Sequence, residues 1–72
     1  GDLNVSNQDA ATLESWIRST SLPQGQITRA KIILALSEGV PVMDVAAAQR
    51  VSRKTVHKWK TRFIESGPNG LL

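Results

Sequence analysis

Apolar residues recur along this chain at intervals of three and four positions, with polar residues between them. This spacing puts apolar side chains on one face of a helix, and it predicts helices at about residues 7–19, 26–38, 41–49 and 53–66. No stretch of useful length alternates between apolar and polar residues, so we expect no β-strand. The pattern therefore predicts an all-α fold of four short helices.

Local signals at the ends of these segments support the assignment. Ser6 and Ser52 precede the first and fourth helices, where a serine hydroxyl can accept a hydrogen bond from a free backbone N–H. Pro41 suits the first turn of the third helix, because the N–H that proline lacks would have no partner there. Gly39 and Gly67 follow the second and fourth helices, and glycine readily takes the left-handed conformation that ends a helix.

The same spacing predicts which residues form the core. On the second helix, Ile32 falls away from the centre of the apolar stripe and is expected to pack on the first helix, while Leu36 falls near the edge of the stripe. On the fourth helix, Ile64 lies beside the predicted buried face and is expected to be buried with it. The other predicted core residues are Leu13, Trp16, Ile17, Ile27, Ala30, Ile33, Leu34, Val42, Val45, Ala46, Val51, Val56, Trp59 and Phe63.

Length and composition exclude several classes of protein. A chain of 72 residues suffices for one domain, and we expect residues 1–72 to be a single domain from a longer protein. Because there is no cysteine and only one histidine, a disulfide or a cysteine-type zinc site is excluded, and we predict no metal and no cofactor. No apolar stretch approaches the roughly 20 residues that cross a bilayer, and no signal-peptide pattern is present. We therefore expect a soluble, intracellular protein with no membrane partner.

The charge of the chain is unevenly distributed. The formal net charge is +3, with nine Lys and Arg residues against six Asp and Glu residues. Six of the nine cations lie between Arg50 and Arg62, a stretch that contains no acid. Such a run is often only a solvated helix face, so its position relative to the buried face must decide its meaning.

The third and fourth helices are joined by a very short turn. Only three or four residues after Ala48 are available to turn the chain, which forces the two helices to cross steeply. Small residues must then lie where the helices touch, and the alanines at 46–48 meet this need. Val51 supplies an apolar residue beneath the turn. The order predicts a small four-helix, homeodomain-like helix-turn-helix domain; the alternative is an ordinary αα-hairpin in a bundle, which uses the same apolar spacing.

The polar side of the fourth helix separates these two alternatives. With its apolar residues inward, its opposite surface is cationic near the N-terminus, as in a recognition helix that enters the DNA major groove. Lys and Arg can bond guanine O6 and N7, and Thr can contact the thymine methyl group. The predicted base-reading residues are Arg53, Lys54, Thr55, His57, Lys58 and Thr61. The predicted phosphate contacts, at the flanks and at the start of the helix, are Arg50, Ser52, Lys60 and Arg62.

The same inventory of residues favours binding over catalysis. The six acidic residues are scattered, no nucleophile and base are suitably spaced, and no glycine-rich loop is present to hold a phosphate. We therefore predict that this segment is not an enzyme and has no catalytic residue, and that its partner is double-stranded DNA.

A longer run of residues resembles a known family. Over roughly Ile27 to Leu72, the run RAKIILALSEG and then VMDVAAAQRVSRKTVHKWKTRFIESGPNGLL is similar to the N-terminal helix-turn-helix DNA-binding domain of bacterial insertion-sequence transposases related to the mariner superfamily. The helix-turn-helix alone is common to many regulators. The more specific points are Arg29-Ala30 at the start of the second helix, Trp59, Arg62-Phe63, Gly67 and Gly70-Leu71.

The resemblance implies a role for the parent protein. It would be a transposase with a separate metal-dependent catalytic domain, acting in the bacterial cytoplasm at the nucleoid, and any dimer would form through regions outside this fragment. This domain would bind the terminal inverted repeats of its own element. The alternatives are the DNA-binding domain of a transcription regulator and a helical protein-interaction module.

Two residues before the turn depart from the usual pattern of the motif. Leu and Gly are common there, whereas this chain has Gln49 and Arg50. We expect Arg50 to take a left-handed conformation, which costs a residue with a Cβ about 1 kcal/mol. A phosphate contact by Arg50 would offset that cost.

Overall fold

The computed structural model describes residues 3–72. Within them the chain forms four α-helices and a C-terminal 3₁₀ helix, with no strand. The bounds are Asn7–Arg18 for α1, Gln24–Ser37 for α2, Val42–Gln49 for α3, Arg53–Ser66 for α4 and Gly67–Leu71 for the 3₁₀ helix. The all-α fold is confirmed, and each α-helix begins and ends within two residues of its predicted bounds.

Helix α2 lies at the centre of the molecule and contacts α1, α3, α4 and the 3₁₀ helix. Ile32 and Ile33 are adjacent in the chain, and both are fully buried. Adjacent side chains on a helix point in different directions, so burying both requires cover on two sides of α2. The buried surface of α2 is therefore wider than one stripe: Ile32 and Leu36 are buried, whereas Leu34, predicted within the stripe, is only partly buried.

Both predicted serine caps are confirmed. Ser6 Oγ accepts a hydrogen bond from the Asp9 N–H at 3.1 Å, at the start of α1. Ser52 Oγ accepts one from the Thr55 N–H, also at 3.1 Å, at the start of α4. Each hydroxyl thus provides a partner for a backbone donor that the helix itself leaves free.

Pro41 differs from its predicted place by one residue. It is the N-cap of α3, in an extended conformation (φ −60°, ψ 147°), and the helix begins at Val42. The Pro41 carbonyl accepts the first helical hydrogen bond, from the Val45 N–H at 3.0 Å. Because a cap contributes its carbonyl and not its N–H to the helix, proline fits this position without losing a bond.

Helices α2 and α3 end with the same backbone motif, although only α2 has a glycine there. Gly39 (φ 91°) follows α2, and the residue after it donates its N–H to a carbonyl five residues back at 3.1 Å. After α3, Arg50 adopts φ 57° and ψ 41°, and Val51 donates to the Ala46 carbonyl at 3.0 Å. The left-handed conformation predicted for Arg50 is thus confirmed, at a cost of about 1 kcal/mol relative to glycine.

The C-terminal residues fold back instead of leaving α4. Gly67 (φ 64°) ends α4 as predicted, and the 3₁₀ helix then packs against α4, α1 and α2. Leu71 is fully buried, and Gly70 lies so close to α4 that a Cβ there would overlap the Arg62 carbonyl oxygen. Leu3, near the other end of the chain, is also buried. Neither Leu3 nor Leu71 was among the predicted core residues.

Candidate nucleic-acid interface

The turn between α3 and α4 joins two helices that pack directly on each other. Val45 of α3 and Val56 of α4 are buried between them, and the half-buried Val51 packs against this core, as predicted. Arg53 and Lys54, in the first turn of α4, are exposed. Packing of these valines therefore fixes α4 against α3, while the polar side of the first helical turn of α4 stays open to solvent.

Helix α4 presents an outer face that is cationic in its N-terminal half. We define the outer face as Lys54, His57, Lys58 and Thr61, which are all exposed and recur at helical spacing. Glu65 continues this face toward the C-terminus and is also exposed. Positive charge is consequently concentrated on the N-terminal half of α4, which is the half that a recognition helix inserts into the groove.

The opposite face of α4 is narrower than predicted. Val56 is fully buried and Phe63 is buried, but Ile64 keeps 63% of its surface exposed. The prediction that Ile64 is buried was wrong. Ile64 is the neighbour of Phe63 in the chain, so its side chain points about 100° away from that of Phe63. It therefore lies outside the surface of α4 that the neighbouring elements cover.

Within residues 3–72, the cations of α4 form no ion pair with an acidic side chain. The one ion pair within residues 3–72 joins Arg18 and Glu14 on α1 at 3.9 Å, and both side chains are largely exposed. No acid in the described part of the chain therefore neutralises the basic side chains of α4. Their charge remains available to an anionic partner.

The hydroxyls of Ser52 and Thr55 lie 3.0 Å apart, and the Ser52 hydroxyl also caps α4. Thr55 is half-buried, unlike the residues of the outer face. A hydroxyl that contacts DNA here would have to do so while it keeps its hydrogen bonds within the cap of α4. Both predicted roles, base reading by Thr55 and phosphate binding by Ser52, stay predictions.

The other predicted phosphate contacts lie in different surroundings. Arg50 is exposed at the end of α3, and Arg62 is exposed on α4. Lys60 is half-buried beside the turn between α2 and α3, where it lines a cleft with Val40 and Pro41. The structure thus spreads the predicted phosphate contacts over the end of α3 and the sides of α4, and their roles stay predictions.

Trp59 is surrounded by three cations. The Arg29 guanidinium lies 4.3 Å from the centre of its ring, the Lys58 ammonium 4.9 Å and the Arg62 guanidinium 5.9 Å. Such contacts are attractive because the face of an aromatic ring is electron-rich. The indole is only half-buried, so its predicted place inside the core needs correction. It packs at the margin of the core, where α4 meets α2.

Arg29 is the functional candidate that the sequence reasoning missed. Besides covering Trp59, its Nη1 donates a hydrogen bond to the Leu71 carbonyl at 3.0 Å. It thereby connects α2, α4 and the C-terminal 3₁₀ helix. Helical spacing alone gives no sign of this, since Trp59 and Leu71 lie far along the chain from Arg29.

The described residues contain no group of three or more His, Asp or Glu side chains that could hold a metal ion. None of the helices described is long and apolar enough to span a bilayer.

A family model described as a homeodomain-like domain matches residues 25–72. The match covers two thirds of the chain, namely α2 almost entirely, α3, α4 and the 3₁₀ helix, and it excludes α1. Comparison with curated proteins and with solved structures gives no significant match.

Proposed function

The chain belongs to the homeodomain-like family of DNA-binding helix-turn-helix domains, and we propose that it binds double-stranded DNA sequence-specifically with α4 in the major groove. One observation carries the proposal. Lys54 and Lys58 are exposed opposite the buried Val56, and neither forms an ion pair within residues 3–72, so burial of the apolar face points their charge outward. A plain helical bundle gives no reason for that arrangement.

The outer face supplies the base-reading chemistry. Lys54 and Lys58 can donate to guanine O6 and N7, His57 can donate or accept, and the Thr61 methyl can contact thymine. Arg53 and Thr55 lie in the first turn of α4 and contribute further base contacts where that turn enters the groove. Glu65 repels phosphate, which favours docking through the N-terminal half of the helix.

The sides of α4 supply the contacts that position the helix. Arg50, Lys60 and Arg62 carry charges for backbone phosphates, together with the helix start at Ser52. These contacts set affinity and register, whereas the outer face sets sequence preference.

Salt dependence tests this proposal. Binding of the 72-residue chain to duplex DNA is measured by fluorescence anisotropy over a range of salt concentrations. We expect log K to fall linearly with log salt, by about 0.9 for each phosphate neutralised. A folded chain that shows no salt-sensitive binding to any duplex would falsify the proposal.

We further propose that the DNA target is the terminal inverted repeats of a transposable element, and that this chain contributes binding rather than catalysis. Support comes from the residues that carry the resemblance to insertion-sequence transposases. Arg29, Trp59, Gly70 and Leu71 form one packed cluster behind α4. Residues that look scattered in the sequence therefore act together to hold the recognition helix.

Selection from fragmented DNA of the source organism distinguishes a transposase from a regulator. Fragments retained by the chain are sequenced and mapped. We expect the sites to occur as inverted pairs at both ends of a repeated element. Single sites upstream of unrelated genes would instead identify a transcription regulator, and retention of acidic proteins without DNA would identify a protein-interaction module.

A further inference from the structure

Three cations from two helices meet around one indole ring. We call Arg29, Lys58, Arg62 and Trp59 the Trp59 cluster; its cations lie 4.3 to 5.9 Å from the ring centre. No carboxylate forms an ion pair with any of them in the part of the chain described. Three positive charges that contact one ring, with no carboxylate paired to them in that part of the chain, favour an anion beside the cluster.

The Arg29 side chain has donors to spare. A guanidinium carries five N–H groups, and this one makes a single hydrogen bond, from Nη1 to the Leu71 carbonyl. No buried side-chain nitrogen or oxygen in residues 3–72 lacks a partner, so the remaining N–H groups of Arg29 reach solvent.

Gly25 leaves the space beside Arg29 Nη2 free of protein side chain. It lies one helical turn before Arg29 on α2, and a Cβ at this position would lie 3.5 Å from Arg29 Nη2. A longer side chain there would extend over the guanidinium. The absence of a side chain leaves room for a ligand beside Nη2.

We infer that the Arg29 and Arg62 side of the Trp59 cluster is a binding site for a backbone phosphate of duplex DNA, with Arg29 as a direct contact from α2 and Lys58 at the border with the base-reading outer face. Lys58 belongs to the outer face of α4 and Arg62 to its side, so the cluster continues the cationic surface toward α2. A guanidinium matches the geometry of phosphate oxygens, and Trp59 holds the cations in place before the phosphate arrives. The inference rests on the proposed function and extends it beyond the helix-turn-helix to the preceding helix.

The alternative is that Arg29 only ties α2 to Trp59 and to the 3₁₀ helix. Both roles predict weaker DNA binding when Arg29 is removed, so affinity at one salt concentration does not separate them. The slope of log K against log salt does, because it counts the phosphates that are neutralised.

The variant that best separates a phosphate contact from a structural role leaves Arg29 in place. G25E puts a carboxylate one turn before Arg29, where Glu followed by a cation four residues later stabilises a helix. We expect a melting temperature no lower than that of the wild type, together with a slope smaller by about 0.9. The affinity deficit at 50 mM salt should then be about 3.5-fold larger than at 200 mM salt. The control G25Q adds a side chain of the same shape without charge and should keep the wild-type slope.

Substitution of Arg29 itself completes the test. R29Q should lower the slope by the same amount as G25E, and R29K should keep it, because lysine retains the charge. Wild-type slopes in both G25E and R29Q would overturn the phosphate contact while leaving the proposed function intact. Absence of salt-sensitive binding in the wild type would instead remove the proposed function.

Discussion

The two ends of α4 are built in opposite ways. At the N-terminus a single serine hydroxyl caps the helix, the preceding Arg50 is held in a left-handed conformation, and the surrounding side chains are exposed. At the C-terminus the chain folds back into a 3₁₀ helix, Gly70 lies against the α4 backbone, and Leu71 is fully buried.

This difference indicates a division of labour along one helix. The C-terminal end gains stability from apolar burial and from the Arg29 hydrogen bond. The N-terminal end carries a strained residue and cations that form no ion pair within the described residues; both cost stability, and the positive charge suits an anionic partner. Substitutions at the C-terminal end should therefore unfold the domain, whereas those at the N-terminal end should change DNA binding in a folded one.

The largest expected effect is at the C-terminal end. L71A removes a fully buried side chain and should lower the free energy of unfolding by about 3 kcal/mol, much of what a domain this small has. Urea denaturation followed by circular dichroism measures it. The matched control is L72A, because Leu72 is 69% exposed and should be neutral. Similar losses in the two variants would mean that the 3₁₀ helix is not part of the core.

The next effect is at the N-terminal end and concerns binding. K54A or H57A should cost about 1–3 kcal/mol against the preferred duplex and relax base preference, with stability unchanged, because both side chains are exposed. K60A should weaken binding to all sequences alike and flatten the salt slope. Competition with duplexes that differ by one base pair measures the difference. Equal effects of the three variants on every duplex would contradict a base-reading outer face.

The strain at Arg50 gives a smaller effect of opposite sign. R50G relieves the left-handed conformation and should raise the free energy of unfolding by about 1 kcal/mol, while the lost charge weakens DNA binding. R50K keeps both the charge and the strain, so it should resemble the wild type in both measurements. A stabilised R50G that binds with an unchanged salt slope would show that Arg50 touches no phosphate.

The smallest effect is expected at the acidic end of the outer face. E65Q removes the exposed carboxylate at the C-terminal end of that face and should strengthen DNA binding by at most about 0.5 kcal/mol, more at low salt than at high salt. E14Q, which changes an exposed acid on α1, is the control and should leave binding unchanged. A larger gain for E65Q would place DNA along the whole of α4 rather than its first half.

Much of the fold could be predicted because the signals are local. Ser6, Ser52, Gly39 and Gly67 act within one turn of their own positions, so the helix bounds follow from neighbouring residues. Even the unusual conformation of Arg50 could be predicted, because Arg50 stands where helix-turn-helix motifs usually carry a glycine.

For the candidate site, the exposed side chains at 53, 54, 57, 58 and 61 follow from helical periodicity once the buried face of α4 is known. The surroundings of Thr55 and Lys60 do not. One depends on a hydroxyl contact with the cap, and the other on the neighbouring turn between α2 and α3.

The sequence by itself determined the helices, the turn that joins α3 to α4, and the cationic side of α4, because each depends on residues a few positions apart. Only the tertiary structure decided that Leu3 and Leu71 are buried, that Ile64 is exposed, and that Arg29 lies over Trp59 and donates a hydrogen bond to the Leu71 carbonyl. Those outcomes depend on how α2, α4 and the 3₁₀ helix pack together. The spacing of apolar residues within one helix does not indicate which face of that helix a distant segment of the chain will cover.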